Sequence, residues 1–221
     1  MGSKKNHVYL MPGMAANPSI FENIKLPPDI FEIHLLEWIL PFKGETIENY
    51  SLRLSKKIKH EAPVLIGVSF GGIIVQEIAK HIEVQKLIII SSVKSNKELP
   101  KRMLFAKYTK VHKLLPTGLI NNVELLAKYA FGETVVKRLS LYEKYLSVRN
   151  KHYIDWSIDQ IVNWKQQEPE MPLIHIHGSK DPVFPASNIK DCIFLEGGTH
   201  IIIINRYRWF NENLPDIILS P

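Results

Sequence analysis

The sequence predicts an α/β fold, a mostly parallel sheet with helices on both faces. Three observations carry this. Short apolar runs alternate with helical patterns from His7 to Leu195. Those runs are continuous rather than alternating, as in strands buried on both sides. The chain has 221 residues and 45% hydrophobic content, enough for one such domain with an insertion.

The elements follow in order. His7 to Met11, HVYLM, is a short strand that stops at Pro12-Gly13. Asn17 is a good helix cap and Pro18 a good first residue, so a helix is expected to Ile24. Ile30 to Trp38 is apolar and β-prone, a second strand. Thr46 to His60 carries Ile47, Tyr50, Leu54 and Ile58 at helical spacing. Pro63 to Gly67 is a third strand, Phe70 to His81 a helix, and Val84 to Ser91 a fourth strand. Pro172 to His177 and Asp191 to Leu195 complete the set. Between Val93 and Glu168 the rhythm breaks into a stretch rich in Lys, Leu and Tyr. It reads as a helical insertion, residues 93–168, between core segments 1–92 and 169–221.

Composition narrows the function classes. The lone cysteine, Cys192, excludes an internal disulfide and favours a reducing, cytoplasmic setting. No run approaches the roughly 18 apolar residues of a membrane span. Lys4 and Lys5 precede the apolar HVYLMPGMAA, but Pro12-Gly13 interrupts it, against a signal peptide. The net charge of +6 is modest for a nucleic-acid binder, and no reading motif accompanies it. Residues 94–168 hold 14 Lys+Arg against 7 Asp+Glu, so the whole excess sits in the insertion. A solvated helical surface is the plain explanation, and an acidic partner or anionic substrate the sharper one.

The chemistry centres on Gly67-Val68-Ser69-Phe70-Gly71-Gly72. A G-x-S-x-G turn between strand and helix holds its serine strained and exposed at the carboxyl end of a sheet. Glycines flank it because side chains there collide with the adjoining strand and helix. A serine hydroxyl needs a base to become a nucleophile, and the base needs a carboxylate to orient it. In the order nucleophile, acid, histidine, the acid is Asp181, in the loop after Leu173 to His177. The histidine is His200, just past a strand end and two glycines. Asp155 and Asp159 in the insertion are the alternative carboxylates. The oxyanion hole is expected from the backbone N–H groups of Phe70 and Met14, the latter beside Gly13.

MPGMAANPSIF, PVLIGVSFGGIIVQEIA, LIHIHGSKDPVFP and EGGTHIIIINR together resemble the α/β-hydrolase superfamily over residues 8–205, the insertion excepted. The resemblance implies a Ser-His-Asp hydrolase with an acyl-enzyme intermediate and no cofactor. It also implies that 93–168 is a cap, or lid, over the site. The sequence departs from the family in having Pro12-Gly13 where His-Gly is common. It also starts at the strand the family counts as its third, so about six strands, all parallel, are expected. A serine at the elbow argues against the similar dehalogenase and epoxide hydrolase branches, which use Asp.

The expected activity is therefore carboxylic ester hydrolysis of a small-molecule ester or acyl substrate. Thioester or C–C bond hydrolysis on the same fold is the alternative, and a non-catalytic binding protein the remoter one. Resemblance to a methyl esterase acting on carrier-bound pimeloyl groups makes acyl carrier protein a possible acidic partner for Lys101, Arg102, Lys107 and Lys110. Phe184 is a candidate acyl contact. Trp156 and Trp164 read as packing between insertion and core. His175 and His177 alternate on one strand without a third ligand, so they read as structural and no metal is expected. Cys192 reads as a buried small hydrophobe.

Overall fold

The computed structural model describes residues 5–110 and 144–220. Six strands form one sheet: β1 (Asn6–Met11), β2 (Phe31–Leu35), β3 (Val64–Val68), β4 (Lys86–Ile90), β5 (Ile174–Gly178) and β6 (Ile193–Leu195). Their order across the sheet is β2-β1-β3-β4-β5-β6, and every neighbouring pair is parallel. The expected sheet is therefore present. β3 is buried along all five residues, and Leu87 to Ile90 of β4 are buried too. Burial on both faces is why these strands are written as unbroken apolar runs.

The chain leaves β1 for the edge strand β2, crosses back to β3, then proceeds outward through β4 to β6. The direction of travel thus reverses between β1 and β3, where Met11 lies opposite Gly67. A cleft at the carboxyl ends of strands is natural at such a reversal.

The helices are α1 (Ile47–Ser55), α2 (Phe70–Ile78), α3 (Lys101–Thr109), α4 (Lys151–Asn163), α5 (Ile202–Asn205) and α6 (Tyr207–Leu219). Several elements are shorter than the sequence predicts. Asn17 caps as expected, its side chain accepting from Ser19 N, but only a 3-10 turn, Pro18–Phe21, follows. β2 ends at Leu35, and Trp38 turns inward so that its Nε1–H donates to Gly13 O at 2.9 Å. α1 ends at Ser55, where Lys57 and Ile58 amides bond back only three residues, to Leu54 O and Ser55 O.

Of the predicted insertion, α3 and α4 are described, and residues 111–143 lie outside the described residues. α4 is amphipathic, burying Tyr153, Ile154, Trp156, Ile161 and Val162. Trp156 Nε1–H donates to Glu45 O, and Trp164 Nε1–H to Glu77 Oε1, each at 2.7 Å. Both tryptophans thus tie α4 and the residue after it to the segments around Glu45 and Glu77. Cys192 is half-buried rather than buried, because it precedes the exposed Ile193 and Phe194 of edge strand β6. Burial still pushes its thiol up to about 11. Among the described residues no helix is long and apolar enough to cross a membrane.

Candidate active site

Ser69 sits between β3 and α2 with φ +54° and ψ −123°, a conformation that non-glycine residues rarely adopt. Three hydrogen bonds to its backbone groups impose it. Ser69 N–H donates to Ile90 O at 2.9 Å, and Ser69 O accepts from Gly72 N–H and from Ser92 Oγ–H. The two flanking glycines are steric requirements. A Cβ on Gly71 would overlap Pro12 O and come within 2.6 Å of Met11 O. A Cβ on Gly67 would overlap Gly71 O and reach within 2.6 Å of Gly72 Cα. The turn therefore closes only without side chains at both places. Gly71→Ala is expected to destabilise the chain by about 3 kcal/mol or more, because every opposing atom is backbone. Thermal melting checks this, and an unchanged melting temperature would show that the turn has room to relax.

His200 brings the three predicted residues together. Its Nε2 lies 2.9 Å from Ser69 Oγ, and its Nδ1 lies 2.8 Å from Asp181 Oδ2. A carboxylate only accepts, so Nδ1 carries the proton and Nε2 offers its lone pair to the serine hydroxyl. Asp181 is held from the other side by Val183 and Phe184 amides, which donate to Oδ1 at 2.7 and 3.0 Å. Burial works to raise the Asp181 pKa, but His200, His177 and the Phe184 amide outweigh it. The carboxyl stays below its ordinary range. The alternative carboxylates are engaged elsewhere: Asp155 pairs with Lys151, and Asp159 with Asn163.

Phe70 opens α2, so its amide is among the first of the helix, which lack an intrahelical acceptor. Among the described residues, neither Phe70 N–H nor Met14 N–H donates to another backbone group in the turns. Met14 follows Gly13, whose Cα faces the Ser69 side chain: a Cβ there would lie 3.3 Å from Ser69 Cβ. Met14, Ser69 and His200 line one pocket together with Met103, Leu146, Ile161 and Phe184. Among the described residues its lining includes no Lys, Arg, Asp or Glu. Phe184 is 1% exposed and packs edge-on to the His200 ring, centroids 5.7 Å apart.

Sequence reasoning missed Trp38 at this constellation, and missed the particular contacts of His177, read as structural, and of Arg102, read as a partner contact. Trp38 bonds Gly13 O and stacks on the Phe70 ring, 5.3 Å and 9° apart, bracing both amide-bearing segments. His177 is fully buried, with Nε2 2.9 Å from Phe184 O and 3.5 Å from Asp181 Oδ2. The carbonyl must accept, so His177 Nε2 carries a proton and holds the acid loop closed. Burial lowers the His177 pKa and keeps the ring neutral. Arg102 on α3 donates to Pro182 O and Val183 O at 2.9 and 2.7 Å, tying α3 to that loop. Only the position of His177 next to Gly178 at a strand end hinted at any of this.

His175, one turn of the pleat earlier, is 2% exposed, and burial pushes its pKa down to about 3. Unfolded, it would titrate near 6.5, so between these values the unfolded chain binds the extra proton. Stability from neutral His175 is thus complete above about pH 6.5 and is lost as pH falls toward 3. The loss is on the order of 4 kcal/mol. His175→Phe is expected to flatten the acid limb of a stability-against-pH curve. An unchanged acid limb would show that His175 carries none of it.

The sheet order, the elbow at its reversal and the two loops that meet there define an α/β-hydrolase fold. The described residues have that fold. A hydrolase from Pseudomonas aeruginosa PA01 superposes with TM-score 0.73 at 15% identity, covering 99% of this chain and 91% of that one. The enol-lactonase from Burkholderia xenovorans LB400 gives TM-score 0.68 at 14% identity, covering 99% and 93%. A thermophilic esterase from Thermogutta terrifontis gives TM-score 0.65 at 12% identity, covering 97% and 90%. No protein-family model and no curated protein sequence matches the chain.

Proposed function

We propose that this chain is a cytoplasmic serine hydrolase that cleaves carboxylic esters through an acyl-enzyme intermediate. One observation carries the reading: the hydrogen-bonded series from Ser69 Oγ through His200 to Asp181, at the edge of an apolar pocket. In this reading Ser69 Oγ attacks the ester carbonyl carbon while His200 Nε2 takes its proton. The amides of Met14 and Phe70 hold the resulting oxyanion, where charge develops in the transition state. The intermediate collapses, the C–O bond to the alcohol breaks, and His200 returns the proton to the leaving oxygen. Water then attacks the acyl carbon, His200 takes a proton from it, and Ser69 leaves reprotonated. Asp181 keeps the His200 tautomer and stabilises the imidazolium. Water is the only co-reactant this reaction consumes.

In the same reading residues 1–92 and 169–221 are the hydrolase core, and 93–168 the helical cap. Among the described residues the pocket lining holds no Lys, Arg, Asp or Glu, which favours an apolar acyl group, with Phe184 against it. An acidic carrier such as acyl carrier protein would have to meet Lys101, Lys107 and Lys110, since the Arg102 guanidinium is committed to the acid loop. The test is hydrolysis of p-nitrophenyl esters from acetate to laurate by wild type and Ser69→Ala. Turnover confined to wild type supports the reading, and the preferred chain length sizes the pocket. Turnover that survives in Ser69→Ala would overturn it.

A further inference from the structure

Three histidines from separate parts of the chain meet at the β2 edge of the sheet. In register, His7 of β1 faces Glu32 of β2, and Tyr9 faces His34. Registered partners share a face, and so do residues two apart on a strand, so all four side chains lie on one face. His60 joins them from the segment between α1 and β3. His7 Nδ1 lies 3.1 Å from His34 Nε2. Glu32 places its carboxylate oxygens 3.7 Å from His7 Nδ1 and 3.8 Å from His34 Nε2. One nitrogen from each of the three rings lies within 4.8 Å of the others. Tyr9 Oη accepts from Lys59 N–H at 3.0 Å and lies 2.7 Å from His60 Nδ1, which leaves Nε2 as the His60 nitrogen not bonded to Tyr9.

We propose that His7, His34, His60 and Glu32 form a binding site for a divalent transition metal of the zinc class, separate from the pocket beside Ser69. The donor set fits. Three imidazoles and one carboxylate suit zinc, which takes four donors in a tetrahedron. Donors about 2.1 Å from such an ion stand about 3.4 Å from one another. The His7–His34 separation and the two Glu32 separations bracket that spacing. Tyr9 supplies the outer-shell bond that commonly orients a ligating histidine. The His7 and His34 side chains are 20% and 23% exposed and Glu32 is 51% exposed, so an ion can enter from solvent. Capture requires the stacked His7 and His60 rings, 3.4 Å and 9° apart, to rotate away from parallel. The occupied site would clip edge strand β2 and the α1–β3 segment to β1.

The experiment is calorimetric titration of the full chain, stripped with chelator, with zinc chloride, alongside cobalt(II) absorption and thermal melting. Wild type is expected to bind one equivalent of zinc, to melt higher with it, and to give cobalt bands of tetrahedral intensity. Tyr9→Phe, which keeps the ring and removes the outer-shell bond to His60 together with the acceptor for Lys59 N–H, should weaken zinc by about tenfold. His34→Gln should weaken it further and abolish the tetrahedral cobalt spectrum. Should His34→Gln fail to fold, Glu32→Gln at its half-exposed position gives the same readout. The proposal is overturned if wild type takes up no zinc. It is equally overturned if His34→Gln or Glu32→Gln binds zinc with wild-type affinity and spectrum, since the ion would then sit elsewhere.

Discussion

Ser69→Ala is expected to lower kcat for p-nitrophenyl esters by about a millionfold, the cost of removing the nucleophile from the proposed triad. The fold should not suffer. Ser69 Oγ makes its hydrogen bond to His200 and none that holds the elbow. The bonds that impose φ +54° all run through the Ser69 backbone or the Ser92 hydroxyl. Alanine is no more strained there than serine. His200→Ala should cost a similar factor, and the double variant little more than either one, because the two side chains act as one unit. Kinetics with active-site titration, paired with melting curves, check all three. A double variant far slower than either single one would show that the side chains act independently.

Asp181→Asn comes next, with kcat expected to fall by about 10⁴. The amide oxygen of Asn can take the Val183 and Phe184 amides that Oδ1 now accepts. Its NH₂ then points at His200 Nδ1, which today donates to Oδ2. Two donors cannot face each other, so the imidazole must move its proton to Nε2 and present N–H to Ser69. The base is lost while the geometry remains. KM should change little, since the carboxylate does not line the pocket. Asp181→Ala should behave differently: it also leaves the part-buried Val183 amide and the buried Phe184 amide without their acceptor, so stability falls with activity. Near-normal turnover in Asp181→Asn would reassign the acid.

Much of this was legible along the chain. Unbroken apolar runs announced doubly buried parallel strands, and Gly67 and Gly71 announced a turn too tight for side chains. Asp181 and His200 each follow a recognisable strand, at the edge where strand ends converge. Element ends were less legible. β2 stops early because Trp38 turns toward Gly13 O, and the helix expected after Asn17 shrinks to a 3-10 turn.

The sequence by itself determined the fold class, the sheet's parallel character, the steric need for glycine around Ser69, and the chain order of Ser69, Asp181 and His200 on which the proposed triad rests. These are written locally, in the spacing of apolar residues and in backbone conformations that only certain residues allow. The tertiary structure alone decided that Trp38 braces Gly13 and Phe70, that His177 and Arg102 hold the acid loop, and that His7, His34 and His60 meet. Each of these depends on which strand lies beside which and in what register. Placing β2 next to β1 sets His34 across from Tyr9, and no local pattern in either segment carries that pairing.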